Sequence, residues 1–567
     1  MIDPVPPLDD AIESDGPADL AIGAFTRDAP WIVDPSTMPW RFGTATEPDI
    51  DVLRRQAAEM ARTLIRSQHL PSVGRLLSVA YRLGIPLVLW GAGERGTPDS
   101  RAGLSKRLRP AFEHLGPTYI KLGQIISSGE GIFPEELVSE FRLLRDRVPA
   151  ESFAIVRRTV EEDLGCPLSE VFTSFDPVPI ASASIAQVHA ATLRSGERVV
   201  VKVQRSRVAP LVRLDIAAMA WIAPFLVGRI PVTALTNPPA LVELFAETIV
   251  EELDFRLEAQ NMLDIAEVFA GTDQRTVVVP RPHPELVTRR VLVMEHLHGF
   301  PWSDAEGMQE AGIDTAAVLR SSLIAFLEGA LLYGVFHGDL HGGNMMVQSD
   351  GTVALLDFGI TARLDEGKRQ AFLRLQMGAS TNNVAVQVEA LRDLGALPPD
   401  SDIDAVIRDL NLDRPPIDPT TLTAEEMMAE LREVTKALLG YGAKLPKELM
   451  LFVKNMLFLN GAMATMAPDV DILGEIVAIV TYFTQRHGDR IALEVGFEVT
   501  SDTLDLDGYR AAMGFTEETE AITFRDLQER RELIAKRLEA HERPRRRIPL
   551  LRAVYRIIRP ETDRHGG

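Results

Sequence analysis

Apolar positions recur at helical spacing from residue 50 onward. Leu53, Ala57, Met60, Ala61 and Leu64 fall on one face, so helix is expected over 50–89. Residues 153–164 and the long apolar run 316–333 read as helices too. So does 241–259, where Val242, Phe245, Ile249, Leu253 and Leu257 share one face. Strand-like sequence lies between these helices, at 171–175, 179–190, 198–204, 277–280 and 288–297, with a Ser195-Gly196 turn. Beyond residue 359 the pattern is helical to the end, broken near Pro398, 415–419 and Pro446. Residues 1–45 lack periodicity and carry Asp3, Asp9, Asp10, Glu13, Asp15 and Asp19 among prolines and glycines. A mostly disordered acidic arm is expected there.

Two apolar runs invite a membrane test. Residues 216–228 are bounded by Asp215 and Arg229, and 83–90 are shorter still, whereas a span needs about 20 residues. Both are expected as buried or interfacial helices. The 567-residue length predicts more than one domain, and the net charge of -21 argues against general nucleic-acid binding. Cys166 is the only cysteine, which excludes an intrachain disulfide or a Cys-based zinc site and fits a reducing compartment. The first residues show no secretory pattern, and Ile2 rules out N-myristoylation, so a cytoplasmic chain is expected. One basic segment stands apart from the acidic whole. Arg543, Arg545, Arg546 and Arg547 precede a stretch with Arg552, Arg556 and Arg559 on one face and Leu551, Val554 and Ile558 on another. It suits either an interfacial helix at a membrane or a helix docked on the acidic body.

The densest chemistry lies in 335–359. His337-Gly338-Asp339-Leu340-His341-Gly342-Gly343-Asn344 is followed by an apolar hairpin and then Asp357-Phe358-Gly359. Asp, Asn five residues later, then Asp-Phe-Gly is the spacing of a kinase catalytic loop and metal loop. Asn344 and Asp357 supply hard oxygens for Mg²⁺, and Asp339 is placed to orient or deprotonate a hydroxyl. His337 and His341 are expected to brace the loop. Upstream, the small-residue loop Ala181-Ser182-Ala183-Ser184-Ile185 precedes a β-branched strand carrying Lys202, the order of a kinase N-lobe, which points Lys202 at phosphates. Residues 291–297, including Glu295 and Leu297, read as an interlobe hinge where an adenine meets the backbone. The acidic stripe Glu247, Glu251, Asp254 and Glu258 is either solvated or opposite cations, one of which Lys202 would be.

Together these pieces resemble the UbiB/AarF (ADCK-like) atypical kinase family over roughly 104–364. Lys121-Leu122-Gly123-Gln124, led by Leu115-Gly116-Pro117-Thr118, looks like its KxGQ motif. Residues 181–189 look like its alanine-rich loop, and Glu252-Leu253-Asp254 like its ExD segment. On composition alone Lys121 would be a snorkelling lysine, a reading the surrounding motifs reverse. The chain departs from the family at Gly338, Leu340 and Gly342, where Ala, Pro and Pro are usual, and the two glycines are expected to loosen the loop.

The resemblance implies an α+β, protein-kinase-like bilobal fold with a helical N-terminal extension and a mostly helical C-terminal region. The expected divisions are an arm at 1–45, the extension at 46–165, N-lobe at 166–300, C-lobe at 301–500, and a helical region with basic tail at 501–567. It implies ATP (or ADP) and Mg²⁺ as cofactors and a role in isoprenoid quinone or lipid metabolism at the inner face of a membrane. Lys121 is implied to fold over the site and pair with Glu252 or Asp254; Lys202, which needs a carboxylate partner, is expected to pair with Glu258. The Cβ atoms of 181–184 restrict backbone approach to phosphates, so nucleotide pose and ADP-versus-ATP preference are expected to differ from those of protein kinases. A true protein kinase and a nucleotide-switched, non-catalytic lipid-binding scaffold remain open as alternatives, as does the oligomeric state.

Overall fold

The computed structural model describes residues 25–26, 31–43, 48–66, 71–93, 100–127, 134–144, 149–226, 238–410, 412, 441, 446–495, 505–507, 510, 515 and 521–530. The basic tail of 543–559 lies outside them. Helices come first: α1 (Pro39–Phe42), α2 (Ile50–Arg66), α3 (Val73–Gly93), α4 (Ser100–Leu115), α5 (Pro117–Ser127), α6 (Glu135–Arg142), α7 (Phe153–Leu164) and α8 (Leu168–Val171). Then follow β1 (Phe172–Phe175), β2 (Ala181–Ser182), β3 (Ala186–Leu193), β4 (Arg198–Gln204), α9 (Val208–Leu226), α10 (Pro238–Glu251), α11 (Phe255–Gly271), β5 (Val277–Val278), β6 (Pro282–Val287), β7 (Val291–Glu295) and β8 (Phe300–Pro301). The rest comprises α12 (Ala305–Glu310), α13 (Thr315–Glu328) with a π-turn (Gly329–Tyr333), β9 (Val335–His337), β10 (Met345–Val347), β11 (Val353–Leu355), β12 (Thr361–Arg363), α14 (Glu366–Ser380), α15 (Val384–Asp393), α16 (Ile403–Asp409), α17 (Lys447–Met466) and α18 (Ile472–Val495).

The first lobe is built on a six-stranded sheet in the order β1-β3-β4-β7-β6, with β2 paired to β3. Val199, Val201 and Val203 of β4 pack with Val156 and Val160 of α7. Strand alternation therefore turns Lys202 to the opposite face. It stands opposite Val188 and Leu292 in mid-sheet, not at an edge. The helical extension buries a separate core in which Leu122 of α5 and Phe141 of α6 join Phe245 and Ile249 of α10. Ile185, at the tip of the small-residue loop, inserts into that core and so links the loop to the extension. The second lobe is mainly helical, and its core includes Phe326, Phe336, Phe372 and Phe452. Its sheets are small: β5-β11-β10-β8 and the pair β12-β9. The architecture is α+β, bilobal and kinase-like.

Four details differ from the sequence pattern. The helix expected over 241–259 breaks after Glu251, because Asp254 caps a new helix by accepting from Arg256 N at 3.1 Å. The strand at 277–278 runs parallel to β11 of the second lobe, and the first lobe gains β6 instead. Pro282 and Pro284 obscure β6, but it is an edge strand, where proline is tolerated. Part of the arm is packed: Val33, Met38 and Trp40 are buried and Trp31 Nε1 donates to Pro282 O at 3.1 Å. Finally, the apolar run at 83–90 belongs to the longer α3, whose outer face is bare. Val73, Leu77, Tyr81, Ile85 and Val88 recur at helical spacing and are exposed. The helix turns inward Val79, Trp90 and Arg75, the last paired with buried Asp215 of α9.

Among the described residues, α3, α9, α13 and α17 are each long and apolar enough to cross a membrane. Much of α13 is buried in the second lobe, and α17 contributes to the same core.

Candidate active site

Residues 338–344 link β9 to β10, and 356–360 link β11 to β12, so two short strand pairs hold both polar loops. His337 ties the loops together. Its Nδ1 accepts from Asp339 N at 3.1 Å, and its Nε2 reaches Asp357 O at 3.0 Å. Burial lowers its pKa, keeping the ring neutral for this pairing. His341 Nδ1 accepts from Gly343 N at 3.0 Å. Both histidines thus brace backbone. Asn344 Nδ2 donates to Asp339 O at 3.0 Å, fixing the first loop at both ends.

The expectation that two glycines loosen this loop is corrected at one of them. Gly338 is buried, and a β-carbon there would come within 2.7 Å of Ile360 Cγ2 and 3.2 Å of Leu451 Cδ1. At Gly342 the nearest atom would be Trp302 Cδ1, at 3.9 Å. Gly338 is therefore a packing requirement, and only Gly342 has room.

Lys202 Nζ lies 2.6 Å from Glu258 Oε1 and 3.0 Å from Asp357 Oδ1. Glu258 reaches it from the first turn of α11, directly after the helix break. Asp357 sits at φ 56, which turns its carboxylate into the cleft with 42% of the side chain exposed. Asp339 is 16% exposed and Glu258 only 4%. Burial alone would depress the Lys202 pKa, but Asp357 and Glu258 outweigh it and raise the value. Burial likewise opposes ionisation of Asp357, yet Lys202 and Lys121 bring it well below the usual carboxylate range. Burial dominates at Glu258, whose pKa rises to about 7 despite Lys202.

Lys121, on α5, stands 3.0 Å from Glu252 Oε1, in the break between α10 and α11. A β-carbon on Gly359 would meet Glu252 Cγ at 3.2 Å, so this pair rests against the second loop. The break resolves how two acids two residues apart are used. Glu252 meets Lys121, while Asp254 turns away, caps α11 and holds Arg256 Nη2 at 2.8 Å. Gly123 is buried where α5 meets Phe112, Phe141 and Leu144, and Gln124 is half-buried one position further along.

The small-residue loop is held from behind. Arg205 Nε donates to Ala183 O at 2.9 Å, its Nη2 to Ser182 Oγ at 2.8 Å, and its backbone N to Ile185 O at 2.9 Å. Ala181 and Ala183 are exposed, whereas Ser184 and Ile185 are buried. In the hinge, Leu297 is buried. Glu295 accepts from Thr26 Oγ1 of the N-terminal arm and from Arg281 N at 3.3 Å.

Two residues the sequence pattern passes over complete the arrangement. Lys454 Nζ donates to Asp339 Oδ1, and the adjacent Asn455 Oδ1 accepts from Leu340 N at 3.0 Å. Both come from α17, and Asn455 Nδ2 also donates to His337 O. The available signal was an adjacent Lys-Asn pair, both buried, inside an apolar helix. Burial alone would raise the Asp339 pKa, but Lys454, followed by His341 and Lys121, lowers it far below the ordinary carboxylate value.

Asn344 and Asp357 offer the hard oxygen donors that Mg²⁺ takes. Among the described residues no group of three or more His, Cys, Asp or Glu gathers for a metal. A cation here would rely on phosphate and water oxygens for the rest of its shell, as Mg²⁺ commonly does.

Two lobes, a mid-sheet lysine paired with a helix glutamate, and facing Asp-Asn and Asp-Phe-Gly loops define a kinase-like protein. Residues 143–390 match the ABC1 atypical kinase-like domain. The chain belongs to this ABC1 family of UbiB- and AarF-type atypical kinases. It is 37% identical over 374 residues to an uncharacterized protein of Mycobacterium tuberculosis, covering 64% of this chain and 75% of that one. It is 31% identical to the probable protein kinase UbiB of Aeromonas salmonicida, covering 66% and 69% of the two chains. It is also 31% identical to the chloroplastic protein Activity of BC1 complex kinase 1 of Arabidopsis thaliana, covering 72% and 61%.

Proposed function

We propose that this protein is an ATP- and Mg²⁺-dependent atypical kinase or ATPase working at a membrane surface. The observation that carries the reading is Lys202 held between Glu258 and Asp357 opposite the ionised Asp339. In this reading Lys202 holds the α- and β-phosphates, with Glu258 positioning its ammonium. Asn344 and Asp357 hold Mg²⁺, which offsets charge on the phosphates. Asp339 orients the acceptor oxygen. Residues 181–185 line the phosphate side and 295–297 the adenine side. ADP would fit the same groups. Lys121, Gly123 and Gln124 of α5, with Glu252 as the partner of Lys121, form a regulatory strap at the cleft, and Asp254 acts on it indirectly by capping α11. That strap favours a small or lipid acceptor, or water, over a protein chain. The isoprenoid quinone or lipid setting is carried over from the family resemblance as part of the same proposal.

The membrane part rests on the bare face of α3; Leu214, Trp221 and Phe225 of α9 are exposed as well. An exposed apolar helix face of this kind marks an interaction surface. Laid on a bilayer, this face would bury its apolar side chains. The test is calorimetric binding of ADP and ATP with and without Mg²⁺, then turnover with and without anionic vesicles. Mg²⁺-dependent binding weakened at least tenfold by Lys202→Met, and turnover raised by vesicles, are expected. Binding indifferent to Mg²⁺ and to Lys202→Met would refute the nucleotide site. Vesicle-independent turnover would refute the membrane part.

A further inference from the structure

The catalytic loop 337–344 contains no lysine or arginine of its own. Its charge is met from a helix more than a hundred residues later: Lys454 Nζ contacts Asp339 Oδ1. Lys454 is buried, with 9% of its side chain exposed, and its position comes from α17 packing under the loop. Asn455, next along the helix, accepts from Leu340 N and donates to His337 O, the backbone groups on either side of Asp339. One carboxylate oxygen, the peptide that follows Asp339 and the carbonyl two residues before it are therefore fixed from the same helix. The other carboxylate oxygen, Oδ2, is left on the His341 side, 3.9 Å from His341 Nε2.

Charge pairing around the cleft makes the same point. Lys121 faces Glu252, Lys202 faces Glu258, and Lys454 faces Asp339. Asp357 is the carboxylate in excess, sharing Lys202, and it is the most exposed of the four. Without Lys454 two excess carboxylates would face the incoming phosphates instead of one.

We infer that Lys454 is a positioning residue for phosphoryl transfer: with Asn455 it locks Asp339 so that Oδ2 alone addresses the acceptor. The inference rests on the nucleotide-dependent reading given above. In the step, the acceptor oxygen bonds to the γ-phosphorus as the bond from that phosphorus to the ADP oxygen breaks. The acceptor proton leaves on an oxygen of the transferred phosphoryl group. Orientation is a term felt in the turnover rate more than in ground-state binding.

The test measures ATP turnover and ADP affinity of the full chain for wild type, Lys454→Met, Lys454→Gln, Asp339→Asn and the Lys454→Met/Asp339→Asn pair. A wild type without turnover would sink the nucleotide-dependent reading itself, separately from this inference. Given wild-type turnover, kcat should fall about 100-fold or more in both Lys454 variants while the ADP dissociation constant stays within about twofold. The double variant should be no worse than Asp339→Asn, because the two residues act as one unit. A kcat within about threefold of wild type, or losses that multiply in the double variant, would overturn the inference. So would loss of ADP binding in both single variants, since that assigns Lys454 a purely structural role.

Discussion

Lys121 and Glu252 meet at 3.0 Å, with the glutamate resting against Gly359 of the second polar loop. Both side chains are largely buried, at 14% and 10% exposure. Removing one partner leaves a buried charge without its counter-ion, which typically costs about 3–5 kcal/mol. Lys121→Met should therefore lower the urea midpoint sharply. Adding Glu252→Gln should recover part of the loss, and a double variant that is simply additive would deny the coupling.

Glu258 makes a pH prediction for the protein free of nucleotide and metal. Its pKa rises from 4.5 to about 7 because burial disfavours the carboxylate. Between these values the native state keeps a proton that the unfolded chain releases. Its contribution is fully present below about pH 4.5 and is lost as pH rises through about 7. Relative to Glu258→Gln, wild type should lose about 3 kcal/mol across that window. Denaturation series at fixed pH values would show it; parallel curves for the two proteins would count against it.

The two loop glycines should respond differently to alanine. At Gly338 the new methyl meets β-branched Ile360, and overpacking of this kind costs about 1–3 kcal/mol. Gly342→Ala has space and should change stability by less than about 0.5 kcal/mol. Thermal unfolding of both variants checks this, and equal midpoints would contradict the packing.

Much of the candidate site was legible because its residues are contiguous. Asp339, Asn344 and Asp357 fall within one hairpin, and Lys202 sits in a strand whose β-branched character is plain. What escaped depends on distant packing. Lys454 and Asn455 look like interruptions in an apolar helix until α17 is seen beneath the loop. The break at Glu252 was hidden because apolar spacing runs on through Leu253 and Leu257, while Asp254 quietly caps the next helix. The periodicity of α3 shows an apolar face but not that the face points outward. The inward pairing of Arg75 with Asp215 is what sets that orientation.

The bare face of α3 gives a fourth prediction. Leu77→Glu combined with Val88→Glu changes exposed positions and should leave thermal stability nearly unchanged. Co-sedimentation with phosphatidylcholine–phosphatidylglycerol vesicles should fall about tenfold or more, equivalent to about 1.4 kcal/mol. Undiminished sedimentation would move the membrane contact elsewhere on the protein.

Phosphoryl chemistry, in this reading, runs through the second polar loop. Its most direct test is the initial rate of phosphate release from ATP with Mg²⁺, wild type against Asp357→Asn. Asp357 is the cleft's exposed excess carboxylate and shares Lys202 with Glu258. A Mg²⁺-dependent wild-type rate that drops about 100-fold or more in the variant is predicted. Equal rates in the two proteins, or no Mg²⁺-dependent release from wild type, would contradict the account.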